Sequence, residues 1–302
     1  MAPEPDSACL NFAGKSLREA IGLGGRALEG GGVEGAMRDA RLLLLEALGL
    51  SATVLLREPE RRLSEAEAAR LADFLRRRLA REPVSRIIGT RGFYGRTFKI
   101  TPATLDPRPC TETVIEAALE VVDREGWRRT PIHILDVGTG TGALLITLLA
   151  ELPMATGVGT DISDAALAVA RENASLLGVA ERATFLNRRT LDGIEGEFHL
   201  LVSNPPYIST SEIASLEPEV RDYDPFSALD GGLDGLAIYR ALTQGLQRVV
   251  PDGWVLFEVG AGQATDVAQM LRSAAGAGPS PEIRVWKDFG HHERCVAVRT
   301  HR

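Results

Sequence analysis

Cysteine is scarce in this chain. Its 302 residues hold three, at positions 9, 110 and 295, too few and too scattered for a disulfide framework. The five histidines fall at no spacing that would hold a metal ion, and His291-His292 reads as a solvated turn. No stretch approaches the roughly twenty apolar residues that span a bilayer, and residues 1–14 lack the basic start and apolar centre of a secretion signal. A cytoplasmic protein without membrane association is therefore expected. Positive charge is in deficit: 34 Lys and Arg against 41 Asp and Glu leave a formal charge of −7, which argues against a chain whose main task is gripping nucleic acid by its phosphates. What remains is ordinary for a soluble globular protein. Hydrophobic residues make up 44% and charged residues 25%, in a chain long enough for two domains.

The first hundred residues carry helical periodicity. Residues 17–28 form one expected helix, ended by the glycines at 30, 31 and 32. Met37, Ala40, Leu44 and Ala47 share one face of a second. Ala68, Leu71, Leu75 and Leu79 share a face of a third, which opens with the capping-box spacing Ser64 to Glu67. A small helical bundle over 16–85 follows, with 1–15 as a loose tail. One local basic run occurs: ten arginines against six acids between Arg57 and Arg91, including Arg76-Arg77-Arg78 and Arg81 on the third helix. Such a run reads first as a solvated face and second as a docking surface. Phe93-Tyr94 and residues 97–100, separated by Gly95-Arg96, read as a β-hairpin within a linker over 86–109.

From residue 110 onward, after a first helix over about 111–123, strands and helices alternate. Strands are expected at 132–137, 156–160, 183–187, 198–203, 253–259, 282–287 and 294–299, and helices at 143–152, 165–177, 234–248 and 263–274. The fold class is therefore α/β: a doubly wound, mainly parallel seven-stranded sheet, Rossmann-like, behind a helical-bundle domain. The last two strands are close enough for a hairpin, which makes one edge antiparallel. Ligands of such sheets bind beyond the carboxyl ends of the strands.

Two motifs sit at such ends. Strand 132–137 runs into Gly138-Thr139-Gly140-Thr141-Gly142 and then an apolar helix; the glycines can take positive φ and let backbone approach a ligand, and the helix start presents free N–H groups. Asp161, at the end of the next strand, stands at the distance expected of a ribose-binding acid. A nucleoside ligand is expected, and Gly138, Gly140 and Ala143 also leave a dinucleotide enzyme open. Asp161 serves equally as a charge at a helix start beside Ser163.

The second motif is Ser203-Asn204-Pro205-Pro206-Tyr207. Two successive prolines stiffen the loop. The Asn204 side-chain oxygen and a neighbouring backbone carbonyl can then accept both hydrogens of a planar NH2 group, with the Tyr207 ring against its face. An amide or an exocyclic amine suits that clamp.

Together, the run from Asp136 to Gly142, Asp161 and the segment 203–207 resemble a class I methyltransferase that uses S-adenosylmethionine and acts on a planar nitrogen. Glu82-Pro83-Val84, Gly89, Phe93-Tyr94-Gly95, residues 101–105 and Pro107-Arg108-Pro109 with Thr111-Glu112 narrow the resemblance to the protein-(glutamine-N5) methyltransferases of class I peptide chain release factors. The similarity runs from about Leu17 and includes Arg38-Asp39-Ala40. It implies a release factor as protein substrate, held by the helical domain. It implies that Asp136, Gly138, Thr139, Gly140, Gly142, Asp161 and Asn204 line the cofactor. It implies Asn204, Pro205 and Tyr207 as catalytic residues, joined by Pro206, Arg108 and Pro109 in substrate binding. A ribosomal-protein glutamine, a nucleic-acid adenine, or binding without turnover are the alternatives. The chain departs from the family at two places. Arg188-Arg189 stand where an acid usually meets the adenine amino group, with Asp192 as a substitute, and Cys110 stands where an acid is usual.

Overall fold

The computed structural model describes residues 10–276 and 281–301, so Cys9 lies outside the described residues. The chain divides after Gly89 into two compact units.

The first unit is helical: Leu17–Gly30, Ala36–Leu48, Ala52–Arg57, Glu65–Leu79 and Val84–Ile88. Ser64 and Glu67 close the expected capping box, and Ser16 with Glu19 makes a second at the start of the first helix. Leu28, Leu43, Leu44, Leu71 and Leu75 fill the core. Met37, expected inside, is about half exposed; the buried stripe of its helix is Ala36, Ala40, Leu43, Leu44 and Ala47. The tail is not loose where it is described. Phe12 is buried in this core, and Gly14 and Lys15 exchange backbone hydrogen bonds with Leu63. The arginine run is matched by acids of the same unit: Arg76 meets Asp73, Arg77 meets Glu82, and Arg78 meets Asp39 in a buried pair at 2.9 Å.

The second unit opens with the hairpin β1 (Thr90–Phe93) and β2 (Arg96–Lys99). Tyr94 and Gly95 both have positive φ at its two-residue turn, the backbone that matches the twist of the flanking strands, and the Tyr94 N–H donates to the Glu112 carboxylate at 2.7 Å. Phe93 and Phe98 pack edge to face inside the core of this unit. The hairpin is thus part of the second domain's core rather than a linker, because its two aromatic rings need that apolar cover.

The seven-stranded sheet contains β3 (His133–Val137), β4 (Thr156–Asp161), β5 (Ala183–Asn187), β6 (Leu200–Ser203), β7 (Trp254–Glu258), β8 (Ile283–Lys287) and β9 (Glu293–Arg299), in the order β5-β4-β3-β6-β7-β9-β8. The first five in that order run parallel. At the far edge the expected hairpin forms, with β9 inserted between β7 and β8 and antiparallel to both. The expected helix over 234–248 is two pieces, Ala237–Thr243 and Leu246–Val249, broken where Gly245 takes a positive φ.

This order positions the site. The chain winds outward from β3 through β4 to β5, then returns to β6 on the other side of β3. Strand order therefore reverses between β3 and β6, and a crevice opens beyond their carboxyl ends. The glycine turn leaves β3 and the Asn-Pro-Pro-Tyr loop leaves β6 at that point, with the Ser203 hydroxyl donating to the Val137 carbonyl at 2.6 Å.

Candidate active site

Gly138 and Gly140 hold φ of +75° and +54°, and a Cβ added to either would point into open space. Both face a cleft of about 340 Å³, a size typical of small-molecule sites. Beneath the turn, Asp136 accepts from the Thr139 hydroxyl at 2.6 Å and from the Leu145 N–H at 3.3 Å through one carboxylate oxygen. Its other oxygen is buried with no hydrogen-bond partner, and burial pushes this carboxyl up to about 7. Asp136 therefore braces the turn from the cleft floor.

Asp161 joins the turn from β4. It accepts from the Gly140 N–H at 3.0 Å and the Ser163 N–H at 2.9 Å, while Ser163 caps the following helix. Two fixed amides hold the carboxylate at the cleft wall, and each oxygen keeps a lone pair for a ligand hydroxyl. Gly142 differs from its expected role. It is absent from the cleft lining, and a Cβ there would lie 2.5 Å from Ile146 Cδ1. It serves helix packing instead.

Across the crevice, Asn204, Pro205 and Pro206 line the same cleft as Gly138, Thr139, Gly140, Asp136 and Asp161. The Asn204 amide Nδ2 donates to Thr111 Oγ1 at 3.2 Å, which leaves the side-chain oxygen as its acceptor for a ligand. The loop is held behind by Gln263, whose amide donates to the Tyr207 carbonyl at 2.9 Å and accepts from the Gly260 N–H at 3.0 Å.

Three residues expected at the substrate do not line the cleft. Tyr207 turns its hydroxyl to Glu258 Oε1 at 3.5 Å; burial first, then the Glu258 charge, raises the phenol well above its usual range. Arg108 pairs with Asp224, and Pro109 is exposed on a turn of 3-10 helix. Their neighbours Pro107 and Thr111 line the cleft in their place.

Residues 19–89 match the PrmC N-terminal domain family, and residues 119–216 match the methyltransferase small domain family. The chain is 48% identical over 265 residues to the release factor glutamine methyltransferase of Bradyrhizobium diazoefficiens, covering 87% of this chain and 89% of that one. This chain belongs to the release factor glutamine methyltransferase family. The relative of the same name from Rhodospirillum rubrum is 45% identical over 269 residues, 89% of this chain and 80% of its own. Among solved structures, the human METTL16 catalytic domain in complex with a 3′UTR hairpin superposes with a TM-score of 0.56 at 16% identity, covering 78% of this chain and 82% of that one. That likeness concerns the fold alone.

Within this methyltransferase the two departures have distinct settings. Arg188 and Arg189 do line the cleft. Asp192 is exposed, accepts from the Thr190 hydroxyl, and does not line it. Cys110 sits 4.0 Å from Glu258, and burial raises its thiol above the usual range, which disfavours the thiolate. Sequence reasoning missed Glu258, Gln263 and Asp224. For Glu258 a signal exists: it is the one charged residue in the fully buried strand Trp254–Glu258. Among the described residues no cluster suits a metal ion, and no helix is long and apolar enough to cross a membrane.

Proposed function

We propose that this chain transfers a methyl group from S-adenosylmethionine to the side-chain amide nitrogen of a glutamine in a class I peptide chain release factor. The observation that carries the reading is the orientation of Asn204: its NH2 is tied to Thr111, so its oxygen is the group offered to the cleft shared with the glycine turn.

The cleft fits the cofactor. Gly138 and Gly140 leave room where any side chain would intrude, and Asp161 offers lone pairs to two ribose hydroxyls. Bound there, S-adenosylmethionine supplies a methyl group activated by its sulfonium. The rest falls to the chain. An amide nitrogen is a weak nucleophile because its lone pair is shared with the carbonyl. In this reading Asn204 Oδ1 and the Pro205 carbonyl accept its two hydrogens, fix the plane of the NH2 and favour positive charge on nitrogen as the new bond forms. No side-chain base is demanded, since an alkylated amide nitrogen sheds its proton readily to water. The stiffness of Pro205 and Pro206 limits the reorganisation required during reaction. The helical unit holds the protein substrate.

Incubating the chain with S-adenosylmethionine and a release factor, then sequencing peptides by mass spectrometry, tests this. One methyl group on a glutamine is expected. No methylated glutamine, or labelled methyl appearing in RNA, overturns it.

A further inference from the structure

Gln263 stands just past β7, where the chain turns into the helix Ala264–Ala274, and each hydrogen-bonding group of its side chain goes to backbone. Its Oε1 accepts from the Gly260 N–H at 3.0 Å. Its Nε2 donates to the Tyr207 carbonyl at 2.9 Å and to the Gly235 carbonyl at 3.4 Å. Backbone partners have fixed polarity, so only one orientation of this carboxamide satisfies them all. The first bond closes a local turn. The other two reach segments 56 and 28 positions away, and two glycines make room for them. A Cβ on Gly260 would lie 2.8 Å from Gln263 Oε1 and 2.9 Å from Tyr207 Cδ2, and one on Gly235 would lie 2.7 Å from Gln263 Nε2.

The loop that this side chain reaches has little means of anchoring itself. Pro205 and Pro206 carry no N–H, so the prolines limit the loop's internal angles but do not fix its place. Its place comes from the two ends. At the start, the Ser203 hydroxyl donates to the Val137 carbonyl at 2.6 Å. At the finish, one planar peptide unit is held from both sides: the Tyr207 carbonyl accepts from Gln263, and the Ile208 N–H donates to the Leu229 carbonyl at 3.1 Å. The base of Gln263 is itself firm, because the Val259 N–H donates to the Arg294 carbonyl at 2.9 Å and the Glu258 carbonyl accepts from the Tyr239 hydroxyl at 2.7 Å. A stiff segment held at both ends has one position over the cleft.

We propose that Gln263 is a positioning residue for methyl transfer: its two donor bonds fix the far end of the proline loop and thereby hold the Asn204 oxygen and the Pro205 carbonyl where the substrate NH2 needs them. This rests on the glutamine-methylation reading. Gln263 does not line the cleft, so its effect on rate passes through the loop. Without its donors the Ser203 end still holds, the loop pivots about that end, and the two acceptors no longer converge on one NH2. A displacement of about 1 Å at such groups costs on the order of 100-fold in rate. Asp161 and the glycine turn lie across the crevice and keep their own hydrogen bonds, so cofactor affinity is left intact.

The test uses the full chain and a glutamine-bearing release factor, after wild type has been shown to methylate it; a wild type without activity defeats the underlying reading instead. Calorimetry with S-adenosylhomocysteine gives its affinity and counts the folded sites, so that kcat is expressed per site. Gln263→Met keeps the length of the side chain and removes its hydrogen bonds. Gln263→Glu keeps the acceptor for Gly260 but sets an oxygen against the Tyr207 and Gly235 carbonyls. For both variants we expect kcat to fall ~10-fold or more, with KM for the release factor and S-adenosylhomocysteine affinity close to wild type. A side chain that served only its local turn would leave Gln263→Glu at the wild-type kcat, and that result overturns the proposal. Loss confined to KM or to cofactor affinity overturns it as well. Should neither variant fold, Gly260→Ala, whose methyl displaces the Gln263 oxygen, decides: wild-type kcat there overturns it.

Discussion

Arg108 and Asp224, 116 positions apart, form an ion pair at 2.5 Å, and each precedes or follows a proline that lines the cleft, Pro107 and Pro225. The Asp224 carboxylate also accepts from the Asp106 N–H at 3.2 Å. Two loops from distant parts of the chain are therefore pinned beside the mouth of the site.

Removing that pin has a defined outcome. Asp224→Ala deprives Arg108 and the Asp106 amide of a largely buried acceptor, and a loss of about 2 kcal/mol is expected in urea denaturation. KM for the protein substrate should rise while cofactor affinity holds. An unchanged denaturation midpoint would show that the pair contributes nothing.

Asn204→Ala removes the acceptor offered to the substrate amide. Turnover should drop by ~100-fold or more, with S-adenosylhomocysteine binding retained in calorimetry. Wild-type turnover in this variant would mean that the clamp lies elsewhere.

The two faces of the glycine turn should separate under mutation. Asp161→Ala takes away ribose acceptors and the Gly140 contact, so S-adenosylmethionine affinity should weaken ~10- to 100-fold, or about 1.4 to 3 kcal/mol. Gly138→Ala, whose methyl enters the cleft, should act in the same direction. Gly142→Ala meets Ile146 at a positive φ and should instead lower stability by about 1–2 kcal/mol or more, with affinity in the folded fraction preserved. Equal binding by all three variants would refute this division.

Stability should also depend on pH through Asp136. Folded, its carboxyl keeps the proton up to about 7, whereas its ordinary value is 3.8. Across that window the unfolded chain releases a proton that the folded chain retains. The stabilisation is therefore complete below the ordinary value and declines as pH rises, by up to ~1.4 kcal/mol per pH unit, levelling off above about 7. Glu258, also raised, adds a decline of the same sign. Asp136→Asn should flatten the curve measured by urea titrations between about pH 5 and about pH 8. A variant whose stability falls as steeply as wild type would rule out the buried Asp136 carboxyl as the source.

Much of the fold was legible because it rests on short-range rules. Short apolar runs bounded by turn residues point to the seven strands, the Ser64 to Glu67 spacing to a helix start, and the glycine pattern after Val137 to a turn. The carboxyl-end rule for doubly wound sheets puts both motifs at the mouth of one crevice. Misreadings occurred where tertiary packing overrode a local pattern. Ala40, Leu44 and Ala47 are buried as their spacing predicts, but Met37 on the same face is about half exposed while Leu43 is buried. The hairpin's sequence reads as a connector, but Phe93 and Phe98 pack inside the core of the second unit.

The amino-acid order alone determined which residues stand at strand ends: Gly138 and Gly140 after β3, Asp161 after β4, and Asn204 after β6. Element boundaries follow from periodicity and from the backbone limits of glycine and proline, which act over a few residues. Only the tertiary structure decided which way those residues turn. Tyr207 and Arg108 look away from the cleft toward Glu258 and Asp224, Gly142 packs on Ile146, and the Asn204 carboxamide takes its direction from Thr111. A polar side chain points to whichever partner burial leaves within reach, and here those partners arrive from segments tens of residues away.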